Sequence, residues 1–141
     1  MMSDSTVTTV KRMKPTITLS EEDYERLSTL AHAARNKLPD LAADLAEEIG
    51  RARVLTKGKV PEHAVCMNSE VEFRDETTHK VRKITLVYPD AADISKGRVS
   101  VMTPVGTALV GLPVGHSISW ETPAGEVRQL TVLSVGTPQR A

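Results

Sequence analysis

The sequence predicts an α+β protein in which a short antiparallel helical hairpin precedes an antiparallel sheet covered by one short helix. Apolar residues recur at three- and four-residue steps between residues 20 and 54, as they do on amphipathic helices. From residue 64 onward the pattern changes to short runs rich in strand-forming residues, separated by turn residues. Helices followed by strands, without regular alternation, are typical of the α+β class.

The composition excludes several classes of function. The chain has 141 residues, of which 18 are basic and 18 acidic, so it has no net charge. We therefore expect no direct nucleic-acid binding and no attraction to an anionic membrane. The apolar runs are too short to span a bilayer, and the N-terminal residues lack the apolar stretch of a secretory signal. A single cysteine, Cys66, suits a reducing compartment, and we expect a cytoplasmic protein.

The chain divides into three predicted parts. They are a disordered polar tail (1–14), a coiled-coil-like helical hairpin (15–57) and a sheet domain (58–141). The boundary lies in the charged stretch "TKGKVPEH", where Gly58 and Pro61 interrupt regular structure.

The first helix is predicted to begin after Ser20, which is spaced from Asp23 as in a capping box. The acidic residues of its first turn suit the positive end of the helix dipole. Pro39 ends the helix, because proline disfavours helical geometry at Leu38 and cannot continue the hydrogen-bond ladder. The predicted buried stripe is Tyr24, Leu27, Ala31, Ala34 and Leu38.

The second helix is predicted over about 40–54. Its stripe is Leu41, Leu45, Ile49 and Ala52. Two apolar stripes joined by a few residues form an antiparallel hairpin, in which each helix buries its face on the other. About 17 residues per helix give an arm of about 25 Å.

Five strands are predicted in the second part, over 64–75, 79–89, 97–102, 117–121 and 126–135. The stretches "DETT" and "TPAGE" have the composition of hairpin turns. Apolar residues on both faces of the longer strands indicate that a helix covers the sheet. The scarce aromatic residues Phe73 and Trp120 are predicted to lie in the core.

The uncharged stretch "SVMTPVGTALVGLPVG" (100–115) predicts the covering helix. Thr103 is a suitable N-cap, Pro104 suits the first helical position and Gly111 suits the position just beyond the end. Because one face of this helix must cover the sheet, we expect its start, including Met102, to protrude.

Several quoted stretches resemble known families. "ADISKGRVSV", the "TP" before the short helix, "ALVGLPVGHSI" and "TPAGE" resemble the C-terminal domain of the bacterial Gre transcript-cleavage factors. "KPTITLSEEDYERL", "MNSEVEFRD" and "TLVYP" resemble the Rnk family, regulators of nucleoside diphosphate kinase. The resemblance implies an FKBP-like second domain that binds RNA polymerase near the rim of its secondary channel.

The resemblance also implies which residues bind the polymerase. They lie in the loop before the short helix, where Pro104 matches the family, Thr103 replaces the usual Ser, and Met102 stands where some relatives have Asp or Asn. Asp93 flanks this loop in the implied contact.

Two interpretations are open for the tip of the hairpin, which contains Pro39, Asp40 and Asp44. Gre factors carry acidic residues at the tip of a long arm, where they help to hold a second Mg²⁺ in the polymerase active site. Asp40 and Asp44 share one helix face and could share a hard cation. Alternatively, the helix dipole accounts for Asp40, and Asp44 lies on a solvated face. An arm of about 25 Å is about half the length that the resemblance implies for Gre factors.

We therefore expect a regulator without enzymatic activity, metal or cofactor. His63 and Cys66 are spaced like two zinc ligands but lack a second pair, and Cys66 is predicted to be a small core residue. A prolyl isomerase pocket needs more aromatic residues than the chain has.

We expect the protein to bind RNA polymerase as a monomer and to compete there with factors that have longer helical arms. The alternative is binding to another cytosolic protein, such as nucleoside diphosphate kinase.

Overall fold

The computed structural model describes residues 16–56, 58–122 and 124–136, so the predicted disordered tail lies outside the described residues. The α+β class is confirmed. Within these ranges the helices are α1 (Glu21–Ala33), α2 (Pro39–Arg51) and α3 (Pro104–Leu109). The strands are β1 (Thr18–Leu19), β2 (Arg53–Val54), β3 (Ser69–Asp75), β4 (Val81–Val87), β5 (Arg98–Ser100), β6 (Ser117–Glu121) and β7 (Val127–Val135). Two 3₁₀ turns, Pro89–Ala91 and Ile94–Lys96, lie between β4 and β5.

Helix α1 begins where the sequence predicts but ends earlier. The Ser20 hydroxyl accepts a hydrogen bond from the Asp23 N–H at 3.1 Å and caps the first turn. The helix ends at Ala33 rather than near Leu38. Leu38 has φ −132° and ψ 67°, because the following Pro39 disfavours helical geometry there, and the preceding residues form turns.

Helix α2 begins at Pro39 and ends at Arg51, three residues before the predicted end. It ends early because β2 pairs with β1 in a parallel ladder that local sequence patterns do not indicate. The N–H groups of Arg53 and Leu55 donate to the carbonyl oxygens of Ile17 and Leu19 at 2.8 and 3.0 Å. Both helices have 13 residues and are about 20 Å long, so the arm is shorter than predicted.

The main sheet has five strands in the order β5-β4-β3-β7-β6. All neighbouring pairs are antiparallel except β4 and β5, which are parallel, so the prediction of a wholly antiparallel sheet is wrong at this edge. The segment with the two 3₁₀ turns returns the chain from the end of β4 to the level of Thr85, where β5 starts. Strand β5 therefore runs in the same direction as β4. An FKBP-like fold for the sheet domain stays a prediction.

Strand β3 starts at Ser69 rather than at Ala64. The Ser69 hydroxyl accepts from the Cys66 N–H at 3.2 Å and donates to the Cys66 carbonyl at 2.6 Å, which folds 66–69 into a turn. Asn68 has a positive φ of 65°, a value that ends any strand before it.

One apolar cluster joins the helices and the sheet. It includes Leu27, Ala31, Leu45 and Ile49 from α1 and α2, so the central positions of both predicted stripes are confirmed, while Leu41, Ala34 and Ala52 pack at its margin. The stripe prediction is wrong at its ends: Tyr24 is 37% exposed and Leu38, in the loop after the helix, is 44% exposed. Phe73 and Cys66 are buried as predicted, whereas Trp120 is only partly buried.

Candidate interaction surfaces

The loop before α3 and the first two residues of that helix, together residues 101–105, are held by side-chain hydrogen bonds. The Thr103 hydroxyl donates to the Ser100 carbonyl at 2.7 Å and accepts from the Gly106 N–H at 3.1 Å. The Ser100 hydroxyl accepts from the Met102 N–H at 2.9 Å. The predicted N-cap at Thr103 and the proline at the first helical position are therefore confirmed. We call residues 101–105 the α3 loop.

The α3 loop also packs closely against the strand before it. A Cβ at Gly106 would collide with the Ser100 carbonyl oxygen, so only glycine fits there. The Thr107 hydroxyl donates to the Val101 carbonyl at 2.8 Å. These contacts leave the loop little freedom to rearrange, and any partner would meet a preformed surface.

Met102 does not protrude, so the prediction of an exposed Met102 is wrong. Its side chain is 8% exposed and belongs to the core cluster, because burial of its apolar side chain under the loop is favourable. Thr103, Pro104 and Val105 are half-buried and form the accessible part of the loop. A direct contact of the Met102 side chain with a partner would require the loop to open.

Asp93 is separated from the α3 loop by strand β5. Its carboxylate caps the second 3₁₀ turn, accepting from the N–H and the hydroxyl of Ser95 at 3.1 and 2.6 Å. Its backbone pairs with Arg98, at the start of β5. A three-residue strand is about 10 Å long, so Asp93 and Thr103 lie at opposite ends of β5. The neighbouring Ile94, which is not among the predicted contact residues, is 80% exposed.

The predicted tip residues lie together at the start of α2. Pro39 is the first helical residue, Asp40 is in the first turn, and Asp44 follows one turn later; all three are exposed. Within 16–56, 58–122 and 124–136, no group of three or more His, Cys, Asp or Glu side chains is arranged to hold a metal ion. In those same ranges no helix has the length and apolar content needed to cross a membrane.

Asp23 joins α1 to the sheet rather than completing a capping box. Its carboxylate accepts from the Met67 N–H at 3.3 Å and from the Tyr88 hydroxyl at 3.1 Å. Burial raises the pKa of the Asp23 carboxyl, and the hydrogen bond from Met67 opposes that rise. The Arg26 guanidinium lies 4.0 Å from the centre of the Tyr88 ring. Only the Ser20 half of the predicted capping box is therefore present.

A second contact attaches the base of the helical pair to the end of α3. The Thr18 N–H donates to the Gly111 carbonyl at 3.0 Å, and Ile17 is fully buried beside Gly111. Gly111 has the positive φ of 76° expected for the residue after a helix. The helical pair is thus held to the sheet both through Asp23 and through the end of the helix that follows the α3 loop.

The family comparisons match the chain in two segments. Residues 60–137 match the family "Transcription elongation factor, GreA/GreB, C-term". Residues 15–55 match the family "Rnk N-terminus". The two matches adjoin at the charged stretch between the helical pair and the sheet.

Individual relatives agree with these matches. The regulator of nucleoside diphosphate kinase of Escherichia coli K12 is 40% identical over 122 residues, which are 86% of this chain and 90% of the relative. Transcription elongation factor GreA of Thermodesulfovibrio yellowstonii is 33% identical over 96 residues, 66% of this chain and 61% of that protein. Among solved structures, a prokaryotic transcription elongation factor GreA/GreB from Nitrosomonas europaea superposes with a TM-score of 0.68 at 38% identity, covering 88% of this chain and all of that one.

Proposed function

Because this chain belongs to the family of the regulator of nucleoside diphosphate kinase, whose C-terminal part is shared with the GreA/GreB elongation factors, we propose that it binds RNA polymerase and regulates transcription. It docks at the rim of the secondary channel and excludes longer-armed factors from the same place. It catalyses no reaction of its own. We further propose that it acts in the cytoplasm as a monomer.

The α3 loop is the proposed docking surface. Thr103 and Pro104 present a preformed, uncharged contact whose conformation is held by the Ser100 and Gly106 hydrogen bonds. A preformed surface loses little conformational entropy on binding. Met102 supports the loop from beneath, and Asp93 contributes at the other end of β5.

The observation that carries the proposal is the length of the arm. Each helix of the pair has 13 residues, and the pair extends about 20 Å from its base. An arm of this length blocks an entrance but stops short of an active centre, because it is less than half the length that the resemblance implies for a Gre arm. Competition by steric exclusion therefore fits the geometry better than transcript cleavage does.

A competition assay tests the proposal. RNA polymerase carrying labelled GreA is titrated with the unlabelled chain, and displacement of the label is the expected result. Thr103→Asp keeps a good N-cap and adds a charge to the contact, so we expect an affinity loss of about tenfold or more. Pro104→Ala truncates the contact and should cost about fivefold.

Ser119→Asp, on the exposed face of β6, is the matched control, because it adds the same charge away from the loop. It should compete like the wild-type protein. Equal competition by Thr103→Asp and Ser119→Asp would remove the α3 loop from the interface. Failure of the wild-type protein to displace GreA at any concentration would contradict the proposed function itself.

A second candidate function is a complex with nucleoside diphosphate kinase, which the name of the Escherichia coli relative favours. Capture of that enzyme by the chain in a purified mixture without polymerase would support it. A third candidate, stimulated transcript cleavage, requires Asp40 and Asp44 to recruit Mg²⁺. We expect no stimulated cleavage of backtracked complexes.

A further inference from the structure

The beginning of strand β4 lies at an open edge of the main sheet. Strand β5 pairs with β4 only from Thr85 onward, where the partner is Arg98. The preceding residues of β4 pair with β3 on one side, and within the described residues no strand pairs with them on the other. Val81 is 51% exposed, and residues 80, 82 and 83 are exposed as well. We call residues 80–83 the β4 edge.

The backbone of the β4 edge has one free side. Successive residues of a strand direct their N–H and C=O groups to opposite sides of that strand. The Lys80 carbonyl accepts from the Asp75 N–H of β3 at 2.8 Å, whereas the Thr85 N–H donates at 2.8 Å to a carbonyl on the β5 side. Val81 and Lys83 share the direction of Thr85, so their N–H and C=O groups point to the side where no described strand lies.

Three cations surround these free backbone groups. Lys80, Arg82 and Lys83 are exposed, and none forms a salt bridge with a described residue. Glu72 lies opposite Lys83 on β3, but its carboxylate accepts from the Ser134 hydroxyl at 3.4 Å instead. Cations on an edge strand discourage pairing with a second copy of the chain, because like charges would meet. The same charges favour an added strand that carries carboxylates.

We propose that the β4 edge binds an acidic, extended segment of another protein, which joins the main sheet as an added strand. Hydrogen bonds to the backbone of Val81 and Lys83 hold the segment, and its carboxylates pair with the three cations. A peptide backbone offers both donors and acceptors to these groups, whereas a phosphate only accepts, so a protein segment fits better than RNA. The chain's own residues 1–15 fit poorly, because they carry three basic side chains and one acidic one.

The β4 edge is separate from the α3 loop. Strands β4 and β5 are parallel, and the last residue of β4, Val87, pairs with Ser100, which leads into the α3 loop. The first residue, Val81, lies about 20 Å away at the other end of β4. A segment bound at the β4 edge therefore leaves the α3 loop free, and this inference does not depend on the proposed function.

Binding of a defined peptide tests the proposal. The probe is a fluorescein-labelled peptide of alternating glutamate and valine, about eight residues long, whose binding is followed by fluorescence anisotropy at low salt. Val81→Pro removes one free N–H without changing the charge, and proline is tolerated at the first residue of a strand. We expect Val81→Pro to bind the peptide about fivefold more weakly than Val81→Ala, which keeps that N–H. Circular dichroism first confirms that each variant is folded.

Charge reversal provides a second test, which leaves the backbone of the β4 edge unchanged. The double variant Lys80→Glu/Arg82→Glu is compared with Arg35→Glu/Lys37→Glu, which reverses two exposed cations between α1 and α2 and produces the same change in net charge. We expect the first double variant to bind the peptide about tenfold more weakly than the wild type, and the second to match the wild type. A peptide with lysine in place of glutamate should not bind measurably.

Each other outcome overturns the proposal. Equal binding by Val81→Pro and Val81→Ala means that no strand is added at the β4 edge. Equal weakening by the two double variants indicates a general effect of net charge. Failure of the wild type to bind the glutamate–valine peptide, or equal binding of the lysine peptide, contradicts an acidic partner. Tighter binding of a labelled single-stranded RNA than of the peptide, lost only with Lys80→Glu/Arg82→Glu, assigns the edge to nucleic acid instead. All of these results leave the competition with GreA untouched.

Discussion

At the scale of single residues, Asp23 illustrates how one carboxylate can change role between sequence and structure. Its position after Ser20 indicates a capping box, yet its two oxygens accept from the Met67 N–H and the Tyr88 hydroxyl instead. Tyr88 and Met67 lie far along the chain, and no local pattern marks them as partners. The partial burial of this carboxylate makes its hydrogen bonds important for stability.

The Tyr88 hydroxyl can be removed without changing the shape of the ring. Tyr88→Phe leaves Asp23 with one donor fewer, so we expect a loss of about 1–2 kcal/mol in the free energy of unfolding, measured by urea denaturation. Tyr24→Phe is the control, because the Tyr24 hydroxyl forms no hydrogen bond within the described chain. Equal stability of the two variants would show that the Asp23–Tyr88 hydrogen bond contributes nothing.

The carboxyl of Asp75 is expected to make the stability of the fold depend on pH. Burial acts to raise the pKa of its carboxyl. The carboxylate also accepts hydrogen bonds from the N–H groups of Thr77 and Thr78 and forms an ion pair with Arg128. These contacts favour the charged form more strongly than burial opposes it, so the pKa is lowered. A carboxyl with a lowered pKa stabilises the fold above its unfolded pKa of about 4, and this stabilisation disappears as the pH falls through the folded value.

Asp75→Asn should therefore melt several degrees below the wild type at pH 7, and the gap should narrow as the pH falls from 5 to 3. Melting temperatures followed by circular dichroism across this range provide the measurement. A gap that stays constant down to pH 3 would mean that the charge of Asp75 has no stabilising role.

At the scale of elements, the base of the helical pair depends on one glycine. Gly111 has φ 76°, and a Cβ at this position would lie 2.8 Å from the Cβ of Ile17. Gly115 has a similar φ of 86°, but a Cβ there would meet nothing within 4 Å. Both sites carry the same backbone strain on substitution, whereas only Gly111 adds a clash.

Gly111→Ala is consequently expected to destabilise the protein more than Gly115→Ala, by about 1–3 kcal/mol. Denaturant midpoints of the two variants measure the difference. Because Gly111 also anchors β1 beside α3, Gly111→Ala should weaken competition with GreA as well. Similar stabilities of the two variants would indicate that Ile17 moves aside without cost.

At the scale of the whole molecule, the helical pair and the sheet share one apolar cluster. Leu27 and Leu45 from the helices are fully buried together with Leu109 and Leu130 from the second part. Since each part completes the core of the other, we expect one cooperative unfolding transition. Ellipticity at 222 nm reports mainly on the helices, and the fluorescence of Trp120 reports on the sheet. Coincident transitions are expected, and transitions at separate denaturant concentrations would indicate two independent units.

The sequence by itself determined the class of the fold, the caps at Ser20 and Thr103, and the existence of all five strands of the main sheet. These features depend on residues close together in the chain, where periodicity and turn chemistry act directly. The residues quoted for the family resemblance are likewise contiguous, and the comparisons confirmed that resemblance.

Only the tertiary structure decided the remaining features. Helix α2 ends early because β2 pairs with β1, Met102 turns inward because the core lies beneath it, and the Asp23 carboxylate bonds to Met67 and Tyr88. Each of these contacts joins residues distant in sequence, so its free energy depends on the assembled core, which local patterns do not encode.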